Sequence, residues 1–475
     1  MPLDYGRIIS QATQRRPKPA IRSLLELESR PGMISFLAGK PNPNGFPFES
    51  MTVKLKPSAV MSTDPATNEP IELKIDGDDL ERVLQYSITT GEPVFHETID
   101  AILSAVHHRT RGDGTPAGEF SMAIGTGSQD LLAKASFALF DEGDVVLVES
   151  PMYPGLLPDF ASRGVRTVNI EQDSEGISDK TLEDTLANWK TTPATADLPF
   201  PKAVYTVPCG GNPSGTTASA DRKRAILKLA REYNLLILED DPYYYIAFEG
   251  LGEDPVTRPR IPSYFALENE EADKWGYGYV LRFESFSKIM SAGMRLGFAV
   301  GPTPLIQAIA VYTATSNLHT SAPIQALAGL LLKHWGVSGF LHHVDAVSKM
   351  YEHRRDVFGS KLDAILGRGT DGQPAVASWN TPVAGMFFWI KLHLPPTPEA
   401  PEGDSFEVIK TKAVEENVLA VPGNSFFSDQ RSTPYMRVSF SLIGEEDMEE
   451  GLRRIRRAVE AAWKDAGYDA IPPLV

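Results

Sequence analysis

A lysine flanked by small hydroxyl residues follows an apolar run in the segment 285–297. The amine of this residue, Lys288, can form a Schiff base with a carbonyl cofactor if neighbouring cations or desolvation keep part of it deprotonated. The hydroxyls of Ser285 and Ser287 and the guanidinium of Arg295 suit a phosphate group on the same cofactor. Taken alone the motif is weak, because a solvated lysine at the end of a strand is the commoner explanation of Ser-x-Ser-Lys.

Carboxylates stand at the end of a second apolar run, in the segment 238–243. Ligands of open α/β sheets bind at the carboxyl ends of the strands. A carboxylate such as Asp240 can pair with a protonated pyridine nitrogen, and Tyr243 can donate a hydrogen bond to a phenolic oxygen of the same ring. The alternative interpretation of this segment is an acidic turn.

Two further segments belong to the same group. Residues 208–215, which include Asn212, form a turn by composition and follow another apolar run. Residues 125–130 open a predicted helix with Ser128 and Gln129, and the free N–H groups of such a helix start favour a phosphate. Asp130 occupies the position of the third glycine of a dinucleotide fingerprint and no Walker lysine follows, so nicotinamide and P-loop sites are excluded.

The elements that must position these residues read as an α/β fold. Nearly continuous apolar runs predict buried strands at 145–148, 203–207, 235–238, 279–283 and 297–300. Helical stripes lie between them, at 129–139 and 221–233. Later helical patterns at 321–366 and 444–466, with strands at 386–390 and 435–440 between them, predict a smaller α+β domain after the large one.

Charge and composition restrict the partners of the protein. Lys and Arg total 46 against 62 Asp and Glu, a net charge of −16, which disfavours nucleic acid and anionic membrane surfaces. The single cysteine, Cys209, rules out an internal disulfide and fits a reducing compartment, with the cytoplasm as the default. No signal peptide, membrane span or metal site is expected. Cys209 is interpreted as a packed residue, and the pairs His107–His108 and His342–His343 as helix-surface residues.

Together and in this order, the four segments resemble the fold type I pyridoxal 5′-phosphate (PLP) aminotransferases. Within them the likeness is greatest to the branch that contains aromatic and kynurenine/2-aminoadipate aminotransferases. It extends over nearly the whole chain, through the segments 33–43, 84–87, 149–153 and 436–441. The resemblance implies a large, mostly parallel-sheet domain at 81–330 and a small α+β domain at 331–475. Residues 1–50 would be an N-terminal arm and part of the small domain, and the aperiodic residues 51–80 a surface excursion.

The resemblance also implies roles around the cofactor. Lys288 would be the Schiff-base lysine and proton shuttle, with Asp240 on the pyridine nitrogen and Tyr153 stacked on the ring. The ring oxygen would be bound by Asn212 and Tyr243. The phosphate would be held by Ser128, Gln129, Ser285, Ser287 and Arg295, and by Tyr86 from the partner subunit of a homodimer.

The substrate contacts implied by the resemblance are fewer. Arg437 would bind the α-carboxylate, because a planar guanidinium grips a carboxylate through two hydrogen bonds. Asn212 and the backbone near Gly39 would assist it. Arg22, in an N-terminal arm that closes over substrate in this branch, would be a second contact.

These roles predict a ping-pong aminotransferase. The donor would be an aromatic amino acid, kynurenine or 2-aminoadipate, and the acceptor 2-oxoglutarate or an aromatic 2-oxo acid. One alternative is other PLP chemistry on the same fold, by a β-lyase or a decarboxylase. The other is a ligand-sensing regulator with an aminotransferase-like domain. The regulator is disfavoured because the family likeness begins by about residue 20 and the chain is acidic.

Overall fold

The computed structural model describes residues 3–17, 27, 30–34, 36, 39–63, 69–367 and 374–472. Its strands in chain order are β1 Ser50–Lys54, β2 Glu72–Asp76, β3 Ser121–Gly125, β4 Val145–Ser150, β5 Arg166–Asp173, β6 Gly176–Ile177, β7 Ala203–Thr206, β8 Leu236–Asp240, β9 Val280–Ser285, β10 Gly297–Gly301, β11 Ala377–Trp379, β12 Phe387–Leu392, β13 Val421–Pro422 and β14 Tyr435–Ser439. The α-helices are Tyr5–Ile8, Gln11–Gln14, Gly77–Leu84, Pro93–His107, Ser128–Leu139, Leu157–Ser162, Asp179–Ala187, Ala220–Tyr233, Tyr264–Leu267, Ala272–Trp275, Thr303–Ser316, Ala322–Leu362, Ser405–Val408 and Glu445–Asp465.

An eight-stranded sheet in the order β3-β10-β9-β8-β7-β4-β5-β6 forms the centre of the molecule. The inner strands β4, β7, β8 and β9 are buried along their whole length, which is why they read as continuous apolar runs. From β9 to β5 neighbouring strands run parallel, and β10 is antiparallel to both of its neighbours. The predicted α/β fold with a mostly parallel sheet is confirmed.

Helices follow the strands, and local signals set their ends. The helix Ala220–Tyr233 begins after Ser219, whose hydroxyl accepts a hydrogen bond from the N–H of Arg222. It ends at Asn234 in the left-handed conformation, with a φ of 54°. Its apolar side, including Ile226 and Leu227, is buried. Within the described part of the chain, no helix has the length and apolar composition needed to cross a membrane.

A second, four-stranded sheet in the order β11-β12-β14-β13 is antiparallel throughout and carries Arg437 on β14. The helix Ala322–Leu362 runs across the predicted domain boundary at 330/331, and its backbone is non-helical at Gly336, where φ is 58°. One arginine of this helix reaches the segment after β14, since the side chain of Arg354 donates to the carbonyl oxygens of Phe440 and Ile443. The division of the chain into domains stays a prediction.

Residues 51–80, interpreted as an aperiodic surface excursion, contain two paired strands. Strands β1 and β2 are antiparallel, with Ser50 opposite Asp76. Only alternate residues of β2 are buried and β1 is mostly exposed, so the pattern is too short and too polar to stand out in the sequence. Ile75 packs in a small apolar cluster with Leu80, Val83 and the start of the helix Ala322–Leu362.

Candidate active site

The ends of five strands bring the predicted residues to one edge of the central sheet. Strands β7, β8 and β9 are parallel and lead to Asn212, Asp240 and Lys288 respectively. Strand β3 ends at the same edge, because the antiparallel strand β10 begins there with Gly297 opposite both Gly125 and Ser285. Strand β4 leads to Tyr153. This edge therefore holds the start of the helix Ser128–Leu139 and two further parts of the site. These are the turn after β9 that carries Lys288, called the lysine turn, and the end of β8 that carries Asp240, called the acidic strand end.

Asp240 is a buried carboxyl group with one oxygen open to a ligand. Its Oδ2 accepts a hydrogen bond of 2.7 Å from the hydroxyl of Tyr205, whereas its buried Oδ1 has no hydrogen-bond partner among the described residues. Burial raises the pKa of Asp240 to about 7, and the charge of Asp241 adds to this effect. An oxygen desolvated in this way gains most from a cationic N–H donor.

The residues on either side of Asp240 point to the other side of the sheet, as alternation along a strand requires. Both form ion pairs with the fully buried guanidinium of Arg282, at 2.9 Å for Glu239 and 2.9 Å for Asp241. The same guanidinium lies 2.8 Å from the carboxylate of Glu284, so one cation joins the ends of β8 and β9. This network fixes the two strand ends that carry Asp240 and the lysine turn.

The interpretation of His107 as a surface residue is wrong. His107 is fully buried, with Nδ1 2.8 Å from the hydroxyl of Ser263 and Nε2 3.3 Å from Glu284. Burial and the charge of Arg282 lower its pKa, which favours the neutral ring. In the sequence, a histidine at the end of an apolar helical pattern gives no sign of a buried partner such as Glu284. Its neighbour His108 is exposed, as expected.

Lys288 lies half-buried in the turn after β9. Burial lowers the pKa of its amine, and the nearby guanidiniums of Arg295 and Arg437 lower it further. The turn is closed by backbone hydrogen bonds from Ile289 and Met290 to the carbonyl of Phe286. A lysine amine with a lowered pKa in a fixed turn is better suited to nucleophilic attack on a carbonyl carbon than an exposed lysine.

The hydroxyl groups and the cation predicted for a phosphate lie together. The guanidinium of Arg295 donates to the hydroxyl of Ser287 at 3.1 Å and to the carbonyl of Thr126 at 3.1 Å. The hydroxyl of Ser285 accepts from the N–H of Ser287 at 3.2 Å. These contacts place Arg295 beside the loop that leads into the helix starting at Ser128, whose N-terminus adds a partial positive charge.

Two glycines leave space at the start of the helix Ser128–Leu139. A Cβ atom at Gly127 would lie 2.5 Å from the guanidinium of Arg295, and Gly127 itself has a φ of 83°. A Cβ atom at Gly297 would lie 2.7 Å from the backbone nitrogen of Ser128. A side chain at Gly127 would meet the arginine and one at Gly297 would meet the backbone at the helix start, so the two glycines leave a cradle of N–H groups and a guanidinium that suits an anion.

Gln129 and Tyr153 are brought together at the side of the site. The amide group of Gln129 donates a hydrogen bond of 2.8 Å to the carbonyl of Gly155, and its buried Oε1 has no partner among the described residues. A Cβ atom at Gly155 would lie 2.5 Å from the ring of Tyr153, so the glycine makes room for this half-buried ring.

Arg437 faces the same edge from the second sheet. Its Nη1 donates a hydrogen bond of 2.9 Å to Oδ1 of Asn212. The guanidinium lies 4.4 Å from the centre of the Phe387 ring and 5.2 Å from that of Phe426. Its buried Nε has no hydrogen-bond partner within the described ranges. A planar cation packed against two aromatic rings, with an N–H group that has no partner among the described residues, is suited to binding a carboxylate.

The family model that describes aminotransferases of class I and II matches residues 78–455. The chain belongs to this family. Enzymes of this family use PLP as their cofactor, so this protein is a PLP-dependent aminotransferase of fold type I. The resemblance found in the sequence is thereby confirmed.

Relatives match the aminotransferase over nearly its whole length. Aminotransferase tdiD of Emericella nidulans is 38% identical over 458 residues, with 96% of each chain covered. Kynurenine/alpha-aminoadipate aminotransferase, mitochondrial, of Bos taurus is 32% identical over 467 residues, covering 96% of this chain and 99% of the relative. The crystal structure of aminotransferase Aro8 from Candida albicans superposes with a TM-score of 0.81 at 26% identity, covering 98% of this chain and 100% of that one.

The residues present fit the cofactor of this aminotransferase. The unpartnered Oδ1 of Asp240 meets the need for an anion at a protonated ring nitrogen. The amine of Lys288 has a lowered pKa, as Schiff-base formation requires. The cradle at Gly127 and Gly297 provides helix N–H groups and a guanidinium for the phosphate. The individual roles of these residues stay predictions.

Two of the predicted residues that the structure describes, Tyr86 and Gly39, are not brought to this edge. Tyr86 is 57% exposed and lines a separate cavity of about 1060 Å³, which none of the described residues Asp240, Lys288 or Arg295 lines. Gly39 is exposed, and a Cβ atom built on it would meet nothing within 4 Å. Arg22 lies outside the described residues.

The sequence reasoning missed several partners in the aminotransferase site. Tyr205 lies in a run predicted as a buried strand, and a buried tyrosine hydroxyl needs a hydrogen-bond partner, so a signal was present. Phe387 and Phe426, which flank Arg437, gave no comparable signal, because apolar residues of a strand and of a loop are usually explained by packing.

Proposed function

We propose that this aminotransferase transfers the amino group of an aromatic amino acid, of kynurenine or of 2-aminoadipate to a 2-oxo acid, by a ping-pong mechanism. The observation that carries the proposal is the position of Arg437 between Phe387 and Phe426, hydrogen-bonded to Asn212. This arrangement offers a carboxylate receptor with an aromatic lining for the remainder of the substrate. The name of the Bos taurus relative, kynurenine/alpha-aminoadipate aminotransferase, supports part of this range.

The proposed cofactor residues are those that the family resemblance implies, and the position of β8 and β9 side by side at the sheet edge supports the assignment. Asp240 would bind the ring nitrogen, Asn212 and Tyr243 the ring oxygen, and Tyr153 the ring face. The phosphate would be bound by Ser128, Gln129, Ser285, Ser287 and Arg295. PLP, when bound, withdraws electrons from the α-carbon of the substrate and makes its hydrogen acidic.

The chain itself binds the substrate and moves the proton. Arg437 binds the α-carboxylate and so fixes the α-carbon relative to the lysine turn. The amine of Lys288, whose pKa burial lowers, would accept the proton from the α-carbon of the substrate and return it to the C4′ carbon of the cofactor. Asp240 stays ionised against the ring nitrogen and acts electrostatically. Because donor and acceptor carry the same carboxylate, one Arg437 serves them in turn.

The proposed mechanism is tested with a donor panel. Steady-state rates with tyrosine, phenylalanine, tryptophan and kynurenine, each with 2-oxoglutarate, should give kcat/KM values above those for aspartate and alanine, because the aromatic side chains suit the aromatic lining. The aliphatic donor 2-aminoadipate is measured beside them, because the proposal includes it. A preference confined to aspartate or alanine would contradict the proposal. Release of ammonia with pyruvate, or of carbon dioxide, would instead indicate a β-lyase or a decarboxylase.

The enzyme is further proposed to be a homodimer. Tyr86 and Ile88 are 57% and 55% exposed and line the cavity of about 1060 Å³ between the helices Gly77–Leu84 and Ala322–Leu362. Exposed aromatic and aliphatic side chains around a cavity favour burial by a second chain. Sedimentation should give twice the chain mass of 52.0 kDa, and a monomer that is fully active would exclude the proposal.

The cytoplasm is the proposed compartment. The lone Cys209 is buried and burial raises the pKa of its thiol to about 12, so the protein makes no use of an oxidising environment. A fluorescent fusion that enters an organelle would contradict this proposal.

A further inference from the structure

The turn that carries Lys288 is held from outside by a histidine of the long helix Ala322–Leu362. Nε2 of His343 lies 2.7 Å from the carbonyl oxygen of Ile289, the residue directly after Lys288. A carbonyl oxygen only accepts hydrogen bonds, so Nε2 must carry the proton and donate it. Burial lowers the pKa of His343, which favours the neutral ring with its proton on Nε2.

The ring of His343 is itself fixed by an aromatic neighbour. It stacks on the indole of Trp335, with 4.6 Å between ring centres and 24° between ring planes. The indole N–H of Trp335 donates a hydrogen bond of 2.8 Å to the carbonyl of Val60, and Nε2 of His334 lies 2.8 Å from the carbonyl of Met61. Trp335 is buried, so the stack gives the imidazole a single orientation.

The same helix contacts the other parts of the site. The hydroxyl of Ser348 donates a hydrogen bond of 2.7 Å to the carbonyl of Tyr245, in the turn after Asp240. Arg354 donates to the carbonyl of Phe440 at 2.8 Å, beyond the strand that carries Arg437. The helix therefore contacts the lysine turn, the turn after Asp240 and the segment after the strand that carries Arg437. His343 makes the contact with the lysine turn.

We propose that His343 is a positioning residue for Lys288. Its hydrogen bond to the Ile289 carbonyl, supported by the stack on Trp335, sets the position of the lysine amine between cofactor and substrate. The inference rests on the proposed role of Lys288. Misplacing a reacting group by about 1 Å costs on the order of 100-fold in rate, so one fixed hydrogen bond next to the lysine can matter for turnover.

The chain offers a matched control in the adjacent residue. His342 is exposed, and its Nδ1 lies 2.8 Å from the carbonyl of Ser338, four residues earlier in the same helix. Substitution His343→Met removes the donor and keeps the bulk, whereas His343→Gln keeps an N–H donor. His342→Met makes the same chemical change without touching the lysine turn.

The test combines turnover with cofactor affinity in two backgrounds. His343→Met should lower kcat by about 10-fold or more with little change in KM, His343→Gln should recover most of it, and His342→Met should have no effect. The dissociation constant of PLP, measured by fluorescence quenching, should rise for His343→Met in the wild-type background. It should not rise when Lys288→Ala is already present, because the contact acts through the lysine.

The outcomes separate the possible failures. Equal loss of PLP affinity in both backgrounds would show that His343 only supports the fold and would overturn the inference. Near-normal turnover of Lys288→Ala would instead refute the proposed role of the lysine. If His343→Met does not fold, His343→Gln decides, since a loss of kcat beyond about 10-fold despite the retained donor also overturns the inference.

Discussion

At the residue scale, burial moves the two titrating groups of the site toward their neutral forms. It raises the pKa of Asp240 to about 7 and lowers the pKa of Lys288. Without cofactor, the carboxyl group of Asp240 favours its neutral form, whereas beside a cationic ring it would be ionised. Ionisation of Asp240 and binding of the cofactor are therefore linked. The protein without cofactor therefore carries a destabilising charge at Asp240 whenever the pH exceeds about 7.

Substitution Asp240→Asn should change how the stability of the apoprotein depends on pH. Because the folded-state pKa is raised, the folded protein binds this proton more tightly, and wild-type stability relative to the variant falls as pH rises from about 4 to about 7. The variant should gain roughly 2–4 kcal/mol relative to wild type across this window, measured by urea denaturation. Added PLP should stabilise the wild type more. Parallel pH profiles of the two apoproteins would exclude the raised pKa.

Substitution Arg437→Lys should weaken substrate binding. A lysine ammonium cannot form two parallel hydrogen bonds to a carboxylate or stack between Phe387 and Phe426. We expect kcat/KM for the preferred donor to fall about 100-fold, mainly through KM, in steady-state assays. The control is Arg431→Lys, because Arg431 pairs with Glu171 at 3.0 Å on the surface. An unchanged kcat/KM for Arg437→Lys would contradict the proposed contact between Arg437 and the α-carboxylate of the substrate.

At the element scale, the antiparallel strand β10 brings together the residues predicted to bind the phosphate. It inserts between β3 and β9, and its first residue, Gly297, pairs with both Gly125 and Ser285. The strand brings the start of the helix Ser128–Leu139 next to the lysine turn. The absence of a side chain at Gly297 lets the two backbones approach closely.

Substitution Gly297→Ala should therefore reduce cofactor affinity beyond its effect on stability. The new Cβ would lie 2.7 Å from both the backbone nitrogen of Ser128 and the carbonyl oxygen of Glu284, so the helix start and the end of β9 must move apart. Gly301→Ala is the control at the far end of β10, where the Cβ would lie 2.9 Å from the carbonyl of Val280. Both variants should melt earlier, but only Gly297→Ala should raise the PLP dissociation constant, by about 10-fold or more. Equal PLP affinities would show that the residues around Gly297 do not bind the phosphate.

The elements differ in how far the sequence predicted them. Strands β4, β7, β8 and β9 were predicted because both of their faces are buried, which leaves an unbroken apolar run. Strands β3 and β5 were not, since only one residue of β5 is fully buried and β3 contains Ser, Ala and Gly. The antiparallel direction of β10 cannot be read from composition. Local patterns thus predicted which elements form, whereas their pairing depends on distant contacts.

At the scale of the whole molecule, two sheets contribute to one site. The central sheet supplies Asp240 and Lys288, and the second sheet supplies Arg437, which meets Asn212 of the central sheet through a hydrogen bond of 2.9 Å. The sequence predicted that Arg437 and Asn212 lie close together only through the family resemblance. Contacts such as those of Arg282 with Glu239 and Asp241 join residues far apart in the chain and become visible only in the folded protein.

The most direct test of the central claim is the absorbance spectrum of the purified protein with PLP, before and after addition of an aromatic amino acid and then of 2-oxoglutarate. The account predicts a visible band from cofactor bound to Lys288, which is lost with the amino acid and restored by the 2-oxo acid. Lys288→Ala should bind PLP but lack both the band and its cycle. A wild-type protein with no visible band after reconstitution, or a variant that still turns over, would contradict the account.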